Sequence, residues 1–379
     1  MIWPMNKKEI TEILEGGVRD RVFPGAVALV ALRGEIAFFE HLGLRSVIPE
    51  PLPMARDTVF DLASLTKPLA TTLCIMRLVD RGTLDLDHAL EAMLPNADLI
   101  DKGKLTLRLL LSHSAGLVDW KPFHEKLMGY PLEDRKMLLR QWIIEEPFAY
   151  GPGKVNLYSD LGFMLLEWVI EEQTGQTLAQ YAHEQFYGPL GLKRTFFSPS
   201  LLSPPTRGGE REMEFAATED CPWRKRVLRG QVHDDNAWAL GGYSGHAGLF
   251  STGEEVYAIA NMVREHYYGL RRDYFKPETL REFFRRQDIV PGSDWALGWD
   301  TRAPEGSSAG RHFSRNSVGH TGFTGTSIWM DLEKDVIAVL LTNRVHPRRD
   351  NEKIKQFRPV FHDIVMEELG LGIAQDCLR

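Results

Sequence analysis

The chain has 379 residues, 43% of them hydrophobic and 26% charged, an ordinary globular composition with ample material for a core. Its 45 basic and 52 acidic side chains leave a net charge of -7 and no dominating basic block, which argues against nucleic acid as a partner. The three cysteines, Cys74, Cys221 and Cys377, are far apart and lack CxxC or Cys/His ligand spacing, so neither a disulfide framework nor a thiol enzyme is expected.

Met1 to Lys8 leads into an amphipathic pattern with no apolar leader core, and no later segment approaches the roughly 18 consecutive apolar residues of a membrane span. A soluble, cytoplasmic protein with no membrane partner is expected. Ile10, Ile13, Leu14 and Val18 recur at spacings of three and four within residues 6–21, which predicts a surface helix packed on one face. After Pro24-Gly25, residues 26–32 and 35–42 read as two strands joined by a turn at Arg33-Gly34.

Residues 68–81, 105–112, 134–144, 159–174, 178–186 and 254–266 favour helix and are separated by Gly and Pro loops. Residues 199–253, rich in Pro, Gly and charge, read as long ordered loops beside a cleft, with Arg224-Lys225-Arg226 as a solvated charge run. Residues 325–331 and 336–342 read as a second hairpin, and 351–369 as a closing helix. Helix and hairpin at each end predict one antiparallel sheet assembled from both termini, with helices on both faces. The expected fold is α+β: a single two-lobed unit, with a sheet lobe from residues 1–62 and 295–379 and a mainly helical lobe, 63–294, inserted between them.

Phe60 to Pro68 leads from a strand-like piece into a helix, and Pro68, tolerated only in a first helical turn, marks its start. Ser64 and Lys67 then share one face, three residues apart. A serine hydroxyl needs a neighbouring base to become a nucleophile, and a lysine serves if burial or nearby positive charge depresses its proton affinity. The N–H groups of the helix start, that of Ser64 included, are suited to hold an oxyanion. Alone, Ser-x-x-Lys is a spacing that chance produces about once in a chain of this length, and a helix-capping serine is the bland alternative.

The motif does not stand alone. Ala63-Ser64-Leu65-Thr66-Lys67-Pro68, Leu110-Leu111-Ser112-His113-Ser114-Ala115-Gly116-Leu117, Tyr158-Ser159-Asp160 and His320-Thr321-Gly322 follow one another in the order used by the serine β-lactamase and penicillin-binding family. The chain resembles class C β-lactamases and their esterase and peptidase relatives, from Phe23-Pro24-Gly25 through Trp295-Ala296-Leu297-Gly298-Trp299 to the final hairpin. The resemblance implies Ser64 as acylated nucleophile, Lys67 and Tyr158 as the residues that move its proton, and the backbone N–H groups of Ser64 and Phe323 as the oxyanion hole.

Two departures bear on substrate. Asp160 stands where the family has Asn, adding a negative charge that could keep Lys67 protonated or favour a cationic substrate group. His320 stands where the family commonly has Lys, so Asp160, His320, Thr321 and Gly322 are expected to line a substrate site without that fixed positive charge. The segment from Val232 to Thr252 is most similar to β-lactamase-like amidases of muropeptide recovery; its glycines are expected to let backbone line the cleft. His233, Asp234 and Asp235 lack metal-ligand spacing, and no metal or organic cofactor is expected.

The implied activity is hydrolysis of a small ester, amide or peptide through an acyl-enzyme on Ser64, with a muropeptide or D-amino-acid peptide as the rival substrate. A catalytically idle binding protein on the same scaffold is the alternative of another class.

Overall fold

The computed structural model describes residues 7–198 and 213–372. Its centre is a seven-stranded antiparallel sheet. Gly25–Leu32 (GAVALVAL) and Val336–Thr342 (VIAVLLT) are buried along almost their whole length and pair directly, Leu29 opposite Val339. Such unbroken apolar runs belong in the middle of a sheet covered on both faces. Glu35–Ser46 and Leu52–Pro53 extend it on one side; Ser327–Asp331, Val318–Thr321 and Asp300–Thr301 extend it on the other. Arg33 and Gly34 both have positive φ, 53° and 82°, the two-residue turn whose twist suits a hairpin.

The helices Lys7–Arg19 and Ile354–Glu368 cover one face, where Ile10, Leu14, Phe357, Phe361 and Val365 pack on Ala26, Ala28, Val30 and Leu340. The other face, with Val27, Leu29, Val339 and Leu341, belongs to a larger core shared with Leu73, Leu165 and Ile170 of the helical segments. That core is continuous between the sheet and the helical part. The helix Gly253–Tyr267, grouped by sequence with the helical lobe, contributes Val256, Ile259 and Val263 to it and packs directly on the central strands.

The sequence helices form with small changes of boundary: Leu107–Leu111, Leu132–Glu145, Asp160–Thr174 and Leu178–Ala182. The second strand of the first hairpin runs on past Leu42 to Ser46, because Leu44 and Ser46 pair with Leu52–Pro53. The loop reading of residues 199–253 needs correcting. Residues 199–212 lie outside those described, but the rest includes the paired strands Ala217–Cys221 and Arg226–Arg229, the helix Asp235–Ala239 and the strand Leu249–Ser251. ATEDC and RVLR carry no clean alternation of apolar and polar residues, so their pairing leaves little trace in the sequence. No described helix is long and apolar enough to cross a membrane.

Candidate active site

Phe60–Asp61 pairs with Leu249–Ser251 and ends at a sharp elbow. The Asp61 carboxylate, buried, accepts the Ala63 N–H at 2.9 Å through one oxygen and the His233 N–H at 2.6 Å through the other. Ala63 is held at φ +49°, an uncommon conformation for a residue with a side chain, directly before Ser64. A single 3-10 turn, Ala63–Leu65, precedes a wide π-helical turn, Lys67–Thr72, with Pro68 in its first positions. Such wide turns recur at functional sites.

The strand end carrying His320, Thr321 and Gly322 is tied to this elbow. Thr324 Oγ1 donates to the Asp61 carbonyl at 2.8 Å and Thr326 Oγ1 to that of Leu62 at 3.0 Å. A Cβ on Gly322 would lie 2.5 Å from the Leu62 carbonyl oxygen, so only glycine permits the approach. Arg358, from the closing helix, locks the turn by donating to the Gly322 and Thr326 carbonyls at 2.9 and 2.8 Å. Phe323 follows in the same turn. Its ring is half exposed, lies over His233 with centroids 5.6 Å apart, and faces the Arg344 guanidinium at 4.4 Å.

Lys67 is wholly buried, and its Nζ has three partners: Ser64 Oγ at 3.1 Å, Asp160 Oδ1 at 2.7 Å and the His246 carbonyl at 3.3 Å. Three acceptors satisfy the three N–H bonds of an ammonium. Burial works to discharge Lys67, but the charge of Asp160, with Tyr158 beside it, outweighs burial and raises its proton affinity. The reading of a lysine base made by burial therefore does not describe the resting site. Of the possibilities left open for Asp160, keeping Lys67 protonated is the one the geometry favours.

Tyr158 sits one residue before Ser159, the N-cap of Asp160–Thr174, and its ring is 4.7 Å from Lys67 Nζ. Burial raises the proton affinity of its hydroxyl, which Lys67 and Ser64 partly oppose by favouring the phenolate. The ring is packed between His113, Trp295 and His320, with centroids 4.6, 5.7 and 5.9 Å away. The motif Leu110 to Leu117 signals His113 in the sequence but no role for it. Here its Nδ1 accepts the Ser159 N–H at 3.1 Å and its carbonyl accepts the Leu157 N–H at 3.0 Å, so it grips the backbone on both sides of Tyr158.

His320 is buried on Val318–Thr321, its Nδ1–H donating to the Thr321 carbonyl at 2.9 Å. Burial, with the nearby Lys67 charge, pushes it down to about 3. His320 is therefore neutral at pH 7 and supplies no substitute for a lysine charge. Because the unfolded chain takes up this proton near pH 6.5 and the folded one only near 3, the associated stability is intact above pH 6.5 and lost as pH falls towards 3. Urea midpoints measured at pH 7, 5 and 4 should thus fall less steeply for His320→Gln than for the parent; equal slopes would contradict this.

His246 and Asp234 complete the neighbourhood, and sequence reasoning gave neither a role in the chemistry. The His246 ring is buried and donates through Nε2 to Asp234 Oδ1 at 2.9 Å, while Asp234 caps Asp235–Ala239 by accepting the Ala237 N–H at 2.7 Å. The loop bearing His246 is pinned by Glu167, which accepts Ser244 Oγ at 2.7 Å and the Gly245 N–H at 2.9 Å. A Cβ on Gly245 would strike the Phe163 carbonyl, which explains one glycine of that segment. Atoms of Asp160, Asp234 and His246 lie within 4.8 Å of one another, but Lys67 Nζ already occupies Asp160, so two acids face two nitrogen bases.

An antiparallel sheet, an inserted helical segment, and a Ser-x-x-Lys turn tied to the loop after the strand Val318–Thr321 define a fold of the β-lactamase and penicillin-binding-protein type. The chain belongs to the beta-lactamase family, whose model matches residues 10–358. It is 33% identical over 353 residues to an N-acetylmuramyl-L-alanine amidase of Bacillus subtilis (strain 168), covering 86% of this chain and 78% of that protein. An octameric penicillin-binding protein homologue from Pyrococcus abyssi superposes with a TM-score of 0.74 at 19% identity, over 97% of this chain and 78% of the other. EstCE1, a hydrolase with promiscuous acyltransferase activity, gives a TM-score of 0.71 at 20% identity, over 93% and 98% of the two chains. The last two likenesses concern the fold.

Proposed function

We propose that the protein is a serine hydrolase that cleaves an amide, with short esters as weaker substrates, through an acyl-enzyme on Ser64. The observation that carries this is the arrangement of Ser64 Oγ, 3.1 Å from a buried Lys67 Nζ that also holds Asp160 at 2.7 Å. The amide preference is supported by the similarity to the Bacillus subtilis amidase along most of the chain.

In the proposed cycle the Lys67–Tyr158 pair, one proton short, takes the Ser64 hydroxyl proton at the Tyr158 oxygen as Oγ bonds to the substrate carbonyl carbon. The backbone N–H groups of Ser64 and Phe323 hold the oxyanion. On collapse the C–N or C–O bond breaks and the leaving amine or alcohol takes the proton. A water, deprotonated by the same pair, then attacks the acyl carbon, and Ser64 leaves with that proton as the free acid is released. Neutral His320 and half-exposed Phe323 make the mouth less suited to a substrate carboxylate than a lysine would.

A panel of N-acetylmuramyl-L-alanine, a D-alanyl-D-alanine peptide, p-nitrophenyl acetate and nitrocefin tests this. The muramyl amide is expected to be cleaved fastest and nitrocefin slowest; efficient nitrocefin turnover with the amides inert would reverse the assignment. No turnover of any of them, with no adduct on Ser64, would favour an idle binding protein.

A further inference from the structure

The charges around Lys67 do not balance by themselves. Lys67 carries one positive charge against the two negative charges of Asp160 and Asp234, all within the same partly buried neighbourhood. The group that can close the difference is His246, whose ring meets Asp234 at 2.9 Å and lies within 4.8 Å of the Asp160 carboxylate. Its backbone also touches the machinery, since its carbonyl accepts from Lys67 Nζ.

Every element packed around His246 brings an ionisable group. Lys67 comes from the π-helical turn, Asp160 from the start of its helix, Tyr158 from the segment before it, and Asp234 from the cap of Asp235–Ala239. Behind Asp234 stand His233 and Asp61; beneath the loop stands Glu167, paired with Lys136 at 2.7 Å. Burial alone disfavours a charged His246, but Asp234 and then Asp160 outweigh it and raise its proton affinity.

We infer that His246, held by Asp234, is a positioning residue whose imidazolium offsets the Asp160 carboxylate, which otherwise leaves an unbalanced negative charge beside the proton shared by Lys67 and Tyr158. The inference rests on the serine-hydrolase reading and adds to it a pair whose side chains touch no reacting atom. With His246 neutral or absent, the cluster carries an extra negative charge, the shared proton is held more tightly, and acylation needs higher pH.

The experiment is the pH dependence of Ser64 labelling by a fluorophosphonate probe, in which the Oγ–P bond forms, fluoride leaves and the Lys67–Tyr158 pair takes the proton. For His246→Gln the rising limb should move up by about one pH unit, a roughly tenfold slower rate at any pH on that limb. For H246Q combined with Asp234→Asn, which restores neutrality and keeps a capping oxygen, the limb should return towards the parent.

An unmoved limb in H246Q, or a double variant no better than H246Q, would overturn the inference, as would labelling lost with a chelator and restored by zinc. Should H246Q fail to fold, imidazole 15N shifts of the parent protein decide the matter. An imidazolium at His246 that persists above pH 6.5 is expected, and a neutral ring at pH 6 refutes it. Absence of Ser64 labelling in the parent at every pH would instead remove the hydrolase reading itself, whatever the His246 ring shows.

Discussion

Ser64→Ala is expected to abolish covalent capture by a fluorophosphonate and to lower amide turnover by about 10^3- to 10^6-fold, the range seen when a serine nucleophile is removed from a site whose oxyanion donors survive. The elbow should stay intact. Its geometry is set by Asp61, Thr66, Thr324 and Thr326, which bond to Ala63 and to the carbonyls of Asp61, Leu62 and Ala63 without using the Ser64 hydroxyl. The variant's stability should accordingly fall by no more than about 1.5–3 kcal/mol, the worth of the one hydrogen bond that the Lys67 ammonium loses. Peptide mapping of the labelled parent should put the adduct on Ser64. An adduct elsewhere, or undiminished labelling of S64A, would sink the assignment.

Lys67→Met should have two separable effects, because in the proposed cycle the ammonium serves the reaction and in the fold it pairs with Asp160. Labelling should slow by about 10^2- to 10^4-fold through loss of the group that pairs with Tyr158 and steers the Ser64 proton. Stability should fall by about 3–5 kcal/mol, since Asp160 is left with an uncompensated charge in a largely buried place. Methionine keeps most of the side-chain volume, so cavity formation is a minor contributor. Adding Asp160→Asn removes the orphaned charge, and urea unfolding of K67M/D160N should recover most of the lost stability while labelling stays slow. Recovery of both, or of neither, would show that the two roles of Lys67 are not distinct.

Much of this architecture is legible in the chain because its strongest signals are local. The apolar runs of Gly25–Leu32 and Val336–Thr342 are long enough to declare buried strands, and helices such as Asp160–Thr174 and Gly253–Tyr267 follow from long helix-favouring stretches between Gly and Pro breaks. The first hairpin joins the last through Gly25–Leu32 and Val336–Thr342, the two strands buried along almost their whole length. The short pair Ala217–Cys221 and Arg226–Arg229 is different: neither strand has a pattern of its own, they pair with each other across a short turn, and Ala217–Cys221 is held from far along the chain by His346, Pro347 and Arg349.

By itself the sequence marked the proposed nucleophile and its neighbour, since Ser64 and Lys67 sit three residues apart beside a helix-starting proline, and it marked Tyr158, Asp160 and the strand of His320 through motif order. Only the tertiary structure decided their charges. Lys67 stays protonated because a carboxylate from position 160 comes within 2.7 Å of its Nζ, and His320 is neutral because it is buried near that ammonium. His113 and His246 gained their places in the same way, through a bond to Ser159 and one to Asp234. The physical reason is that proton affinity depends on burial and on charges a few ångströms away in space, and those neighbours lie far along the chain.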